Sequence, residues 1–146
     1  MPMKSIKLLL IEDNEGDVIL TKEAFEESKL IAQIDVARDG MAAIDYFNST
    51  LDSNPKNLPD LVLLDINLPK KNGQEVLQYI KSHDSLKQLP VIMLTTSSSE
   101  TDILNSYKNY ANCFIMKPVD IGSFIHVVAK IEEFWLTIAK LPNHKM

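Results

Sequence analysis

Ile6-Lys7-Leu8-Leu9-Leu10-Ile11 runs directly into Glu12-Asp13. A stretch this apolar, interrupted by one lysine, reads as a strand buried on both faces, as in a parallel sheet. The pattern recurs along the chain. Leu61 to Leu64 ends at Asp65, Val91 to Leu94 ends at Thr95, and Cys113 to Met116 ends at Lys117-Pro118. In open parallel sheets the binding site lies outside the carboxyl ends of the strands. These four ends would therefore gather three acids, a hydroxyl and an amine at one edge.

Segments of helical spacing separate the runs: about Gly16 to Ser28, Met41 to Phe47, Gln74 to Ser82 and Glu100 to Tyr110. A last helix is expected from Asp120 to Ala139, with Phe124, Ile125, Val128 and Ile131 as its apolar stripe. Gln33 to Ala37 alternates apolar and polar residues, which marks a half-exposed edge strand. Asn48 to Pro59, rich in Asn, Ser, Asp and Pro, is expected to form a long solvated loop. Alternating strands and helices predict an α/β, flavodoxin-like (βα)5 doubly wound sandwich with a parallel five-stranded sheet in the order 2-1-3-4-5. The 146 residues fit one domain with a substantial core.

Composition narrows the function. The chain carries a net charge of −5 and no basic stripe, so neither nucleic acid nor an anionic membrane surface is an expected partner. No apolar run approaches the ~20 residues of a membrane span. The lone Cys113 fits a reducing compartment and reads as a small packing residue, so a cytoplasmic location is expected.

The chemistry follows from the acids. If the first and third strands are neighbours, Glu12, Asp13 and Asp65 converge, and carboxylates ~4 Å apart repel by about 4 kcal/mol at an effective dielectric near 20. Such a cluster takes up a proton or binds a cation. An all-oxygen donor set favours a hard cation, and Mg²⁺ commonly combines one or two carboxylates with waters and a phosphate oxygen. Thr95 and Lys117 would supply a hydroxyl and an ammonium to a phosphoryl group, with Asp65 as the central nucleophile. Each residue alone has a structural reading, as a helix cap, a turn or an ion-pair partner. The four strand ends together favour the chemical one.

With these residues in view, the chain resembles the receiver domain of two-component response regulators from about Lys4 to Lys130. The likeness rests on Glu12-Asp13, the segment from Asp65 to Gly73, Thr95 after an apolar strand, and Lys117-Pro118. The resemblance implies that Asp65 is the phosphoacceptor. It implies that Asp13 and Asp65, with Glu12 directly or through water, and the main-chain carbonyl of Asn67, hold Mg²⁺. It makes Thr95 and Phe114 a switch pair, and allows a cis Lys117-Pro118 bond. Asn72 departs from the pattern, standing where Asp is common. With no output domain after the receiver, a stand-alone regulator is expected, catalysing only its own phosphorylation and dephosphorylation. Asn14-Glu15-Gly16-Asp17, Leu68-Pro69-Lys70-Lys71 and the end Ile131 to Leu136 are similar to single-domain regulators paired with bacterial phytochrome histidine kinases.

The partners that the resemblance implies are a sensor histidine kinase of the phytochrome type and a histidine phosphotransfer protein or effector. A homodimer is expected from apolar content near Phe134, Trp135 and Leu136. A phosphorylation-independent module would not require the charge cluster. A flavin- or nucleotide-binding protein would need a glycine-rich loop where Asp13 to Asp17 is acidic.

Overall fold

The computed structural model describes residues 6–26, 31–66, 68–95, 100–116, 123, 126, 127, 129, 130 and 133. The strands are β1 (Ile6–Ile11), β2 (Ile31–Ala37), β3 (Leu61–Leu64), β4 (Val91–Thr95) and β5 (Cys113–Met116). The helices are α1 (Glu15–Glu26), α2 (Gly40–Ser53), α3 (Gly73–Ser82) and α4 (Glu100–Lys108). All strand pairings are parallel and the sheet order is β2-β1-β3-β4-β5, as the alternation predicts.

The period-two geometry of a strand divides the core into two layers. Leu9 and Ile11, Val62 and Leu64, and Val91 and Met93 face the side where Ala43, Phe47, Val76, Leu77 and Ile80 of α2 and α3 pack. Leu8 and Leu10, Leu61 and Leu63, and Ile92 and Leu94 face the opposite side, against Val18 and Phe25 of α1. Strands covered on both faces have little room for polar side chains, which is why they read as continuous apolar runs. Of the expected last helix, Ser123, His126, Val127, Ala129 and Lys130 are helical, and Val127 packs on the α1 side. Its remaining residues lie outside those described.

The long loop expected at Asn48 to Pro59 is instead mostly helix. α2 continues to Ser53 and a 3-10 turn follows at Pro55–Asn57. The polar residues are tolerated because they bond backward: the Thr50 hydroxyl donates to the Tyr46 carbonyl at 2.7 Å and the Ser53 hydroxyl to that of Ser49 at 2.7 Å. Ala43, Phe47 and the partly buried Leu51 keep a four-residue apolar stripe on the core. Asn54 then stops the helix, its N–H reaching Thr50 and its side chain accepting from the Lys56 N–H. β2 also starts two residues earlier than its alternation suggests, and the left-handed φ of Tyr110 (68°) lies just past the end of α4.

Polar networks tie the layers together. The Tyr46 hydroxyl donates to Asp35 at 2.8 Å, Gln33 donates to the same carboxylate at 2.7 Å, and Lys7 pairs with it at 3.3 Å. Burial and the Asp35 charge push the Tyr46 phenol well above its ordinary range. Burial would raise Asp35, but these hydrogen bonds outweigh it and hold the carboxyl below its ordinary range. At the opposite edge of the sheet from the strand-end acids, the Lys81 ammonium donates to the Leu89 carbonyl at 2.7 Å and to Asn112 at 3.2 Å.

Asn72, the departure noted in the sequence, caps α3. Its side chain accepts from the Glu75 N–H at 3.0 Å, and Glu75 accepts in return from the Asn72 N–H at 3.2 Å, completing a capping box. Asp caps as well as Asn. Asn72→Ala should therefore lower stability by about 1 kcal/mol in urea titration, with Asn72→Asp nearly neutral. A neutral Asn72→Ala would remove the cap from the account of this helix.

Candidate metal and phosphoryl site

The β1–β3 ladder builds the acidic cluster. It continues one step beyond the strands, where the Asp65 N–H donates to the Ile11 carbonyl at 3.1 Å, and the β1–β2 ladder does the same on the other side of β1, where the Glu12 N–H donates to the Ala37 carbonyl at 3.0 Å. Glu12 and Asp65 are thus main-chain extensions of neighbouring strands. Carboxylate oxygens of Glu12, Asp13 and Asp65 lie within 4.8 Å of one another. Glu12 is 2% exposed and Asp65 8%, whereas Asp13 faces solvent.

The capping role considered for these acids falls to Asn14. Its side chain accepts from the Asp17 N–H at 3.0 Å and its carbonyl from Val18 at 2.9 Å, starting α1. Glu12 accepts from the Asn14 N–H at 3.3 Å, which orients the glutamate at the base of the cluster. Carboxylates at this separation repel by about 3 kcal/mol per ionised pair at an effective dielectric near 20. Two of them are also largely removed from water. Three oxygen donors from two buried and one exposed acid, with one side open to solvent, fit a hard divalent cation that keeps water or phosphate ligands.

The loop after Asp65 is shaped by two glycines. The Gly73 N–H donates to the Ile66 carbonyl at 2.8 Å, and a Cβ there would collide with the Asp65 carbonyl. Gly40 sits against the Lys71 carbonyl with no space for a Cβ, and its N–H points to the Pro69 carbonyl at 3.4 Å. Asp39 caps α2 through the Ala42 N–H at 2.7 Å and pairs with Lys70 at 3.6 Å. Lys70 itself adopts a left-handed φ of 66°. The β2–α2 turn therefore braces the segment that leaves the acidic site. In the sequence, Arg38-Asp39-Gly40 marks a break after the edge strand. An Asp cap followed by Gly was the available signal, but the contact with a loop thirty residues on was not visible in it.

At the other end of the site, Thr95 pairs in register with Met116. The main chain thus brings Thr95 and the residue preceding Lys117 to the edge that carries the acids. The side chain of Thr95, and Asn67, Lys117 and the Lys117-Pro118 bond, lie outside the described residues, as do Phe134, Trp135 and Leu136. Phe114 is partly buried against the α2–α3 layer, and its N–H donates to the Tyr107 hydroxyl at 3.3 Å. Cys113 packs against the other layer. Burial pushes its thiol up, against the opposing pull of a main-chain hydrogen bond at Phe114, consistent with a packing role.

Residues 8–129 match the family model of the response regulator receiver domain. The response regulator Rcp1 of Synechocystis sp. is 38% identical over 135 residues, spanning 92% of this chain and 92% of Rcp1. The probable methanogenesis regulatory protein FilR2 of Methanothrix harundinacea is 40% identical over 136 residues, spanning 93% of this chain and 87% of FilR2. The solved structure of the phosphorylated cyanobacterial phytochrome response regulator RcpA superposes with a TM-score of 0.89 at 43% identity, covering 94% of this chain and 99% of RcpA. The Mn²⁺-bound form of Rcp1 gives 0.87 at 38% identity, with coverage of 94% and 99%. Sequence likeness over nearly the whole length of these relatives, on the same sheet order, leads to one conclusion: the chain belongs to the response regulator receiver domain family.

Proposed function

We propose that this response regulator accepts a phosphoryl group on Asp65 from a phosphohistidine of a sensor histidine kinase. The observation that carries the reading is the convergence of Glu12, Asp13 and Asp65 at the carboxyl edge of β1 and β3. An Asp65 carboxylate oxygen attacks phosphorus, the P–N bond breaks, and the imidazole departs. Asp13, Asp65 and Glu12 would hold Mg²⁺, joined by the main-chain carbonyl of Asn67. Bound there, Mg²⁺ would neutralise phosphoryl oxygens and relieve the repulsion among the acids. Thr95 would donate to a phosphoryl oxygen and Lys117 would pair with another. In this reading Thr95 and Phe114 form the switch, a local charge change that biases a two-state element.

The likeness to RcpA supports a phytochrome kinase as the donor. The matching likeness to FilR2 shows that a relative this close can carry a different regulatory name, so the stimulus needs its own test. Signal would leave by an altered surface or by onward transfer to a histidine phosphotransfer protein. Leu104, Tyr107, Tyr110 and Met116 are 55%, 49%, 75% and 54% exposed on the α4–β5 side. Large apolar side chains grouped in this way support self-association there, with Phe134, Trp135 and Leu136 as further candidates.

Incubation with a small phosphodonor and Mg²⁺ should add one phosphoryl group to the wild-type protein by intact mass. Asp65→Asn, or excess EDTA with the wild type, should abolish the adduct. An adduct that survives either change would move the acceptor elsewhere.

Divalent cation should also stabilise the fold. At a hundredfold excess over Kd, Mg²⁺ or Mn²⁺ should add about 2.7 kcal/mol in urea titration. Asp13→Asn should raise metal-free stability by relieving repulsion, and should lose most of the metal-dependent gain. Equal gains in both proteins would remove Asp13 from the metal site.

Light scattering should show a dimer whose dissociation follows dilution. Leu104→Asp with Met116→Asp should shift it to monomer. A dimer unchanged by the pair would place the contact elsewhere, and a monomer at every concentration would end the dimer proposal.

A further inference from the structure

The way α4 is attached sets it apart from the other described helices. α1, α2 and α3 each bury apolar side chains in a core layer. Among the described residues of α4, the fully buried one is a serine, Ser106, at 0% exposure, and neither apolar cluster draws a described member from this helix. Polar contacts join it to α3, and they centre on Gln74. The Gln74 amide donates to the Asp102 carbonyl at 3.2 Å and to the Ser106 hydroxyl at 2.9 Å, and it accepts from the Asn109 amide at 3.1 Å. The Ser106 hydroxyl donates onward to the Asp102 carbonyl at 2.8 Å.

Gln74 also has a fixed base. It follows Gly73, whose N–H is bonded to the Ile66 carbonyl and where the Asp65 carbonyl leaves no space for a Cβ. The side chain that holds α4 is therefore one peptide away from the brace on the proposed phosphoacceptor. Hydrogen bonds of this kind can be exchanged for bonds to water, which puts the opening of the α3–α4 contact at the low end of the stability scale. Among the described residues, the groups that join α4 to α3 are ones that water can satisfy.

We infer that Gln74 is the positioning residue of α4: it fixes the helix, and with it the exposed Leu104 and Tyr107, relative to the Asp65 peptide. The inference deepens the phosphoacceptor reading, because it names the attachment through which the site and the α4 surface are held in register. It assigns Gln74 no contact with phosphate or metal.

Amide hydrogen exchange on the full chain, without phosphodonor, tests it. Gln74→Met keeps the length of the side chain and removes the amide. Exchange in residues 100–108 should quicken on the order of tenfold, the factor for losing one or two hydrogen bonds, with β1, β3 and β4 unchanged. Ser106→Ala should quicken the same segment, and the double variant should fall short of the product of the two single effects, as residues sharing one network do.

Gln74→Glu adds a pH profile. A carboxylate there faces the Asp102 carbonyl and cannot donate, whereas a protonated carboxyl can donate and accept as the amide does. After correction for intrinsic exchange, α4 should be loose near pH 7 and regain protection towards about pH 5, since burial raises a carboxyl pKa. Wild type and Gln74→Met should show no such recovery.

Unchanged α4 exchange in Gln74→Met, a loss shared equally by the core strands, or a Gln74→Glu profile that parallels wild type would each overturn the inference. Beryllofluoride with Mg²⁺, a phosphoryl mimic, separates this from the parent reading. It should protect amides around Asp65 if that residue is the acceptor and leave them unchanged if it is not. The Gln74 comparison, made without the mimic, decides the inference in either case.

Discussion

Repulsion among buried carboxylates is the constraint around which this domain is organised. Left to side-chain energetics, Glu12 and Asp65 would separate and hydrate. They do not, because their positions are set by main-chain hydrogen bonds, of Asp65 to β1 and of Glu12 to β2, that extend ladders clamped between two apolar layers. Moving one acid away from the other would break a ladder bond or expose core surface, at a cost comparable with the repulsion avoided. The fold thereby holds three carboxylates together at one edge, where a divalent cation can bridge them. Asp13, one residue beyond the buried strand, completes the donor set from the solvent side.

This arrangement also explains why so much was readable from sequence. A doubly covered parallel strand must be apolar throughout, so the acid, hydroxyl and lysine that end the runs stand out against it. The edge strand betrays itself by alternation. Strand order followed from the handedness of the connections, and the acid cluster followed from that order. What escaped was set by contacts between distant segments or by bonding patterns that composition hides. α2 was cut short because Asn48, Ser49, Thr50 and Ser53 resemble a loop, although the Ala43-Phe47-Leu51 stripe continued the helical spacing. Gly40 beneath Lys71, and Gly73 beneath Asp65, could be found only once the two loops were placed side by side. Asn72, which looked like a departure from the family pattern, is a helix cap with an equally good isostere.

α3 is the junction of these features. Its cap is Asn72, its first residue braces Asp65, and its second residue bonds to α4, while Val76, Leu77 and Ile80 anchor the same helix in the core. One short helix therefore touches the acidic site at its start and the core along its buried face. A displacement of the loop after Asp65 meets resistance from Gly40 and Asp39 on one side and from the α3 core contacts on the other.

That resistance bears on how a small charge event can have a directed effect. If every helix were held by close-packed apolar burial, added phosphoryl charge would meet a uniformly stiff body, and its energy would spread across many contacts. A domain with two stiff layers and one helix docked by amides and a hydroxyl offers an unequal choice. The apolar layers fix the strand ends within the precision that metal coordination needs. The polar seam gives the α4 surface contacts that water can replace. Tyr107 sits on that helix, and its hydroxyl accepts from the Phe114 N–H, so α4 is tied to the main chain of β5 as well as to Gln74 of α3. Rigidity at the acids and releasability at α4 are thus complementary results of where this sequence places apolar side chains and where it places amides.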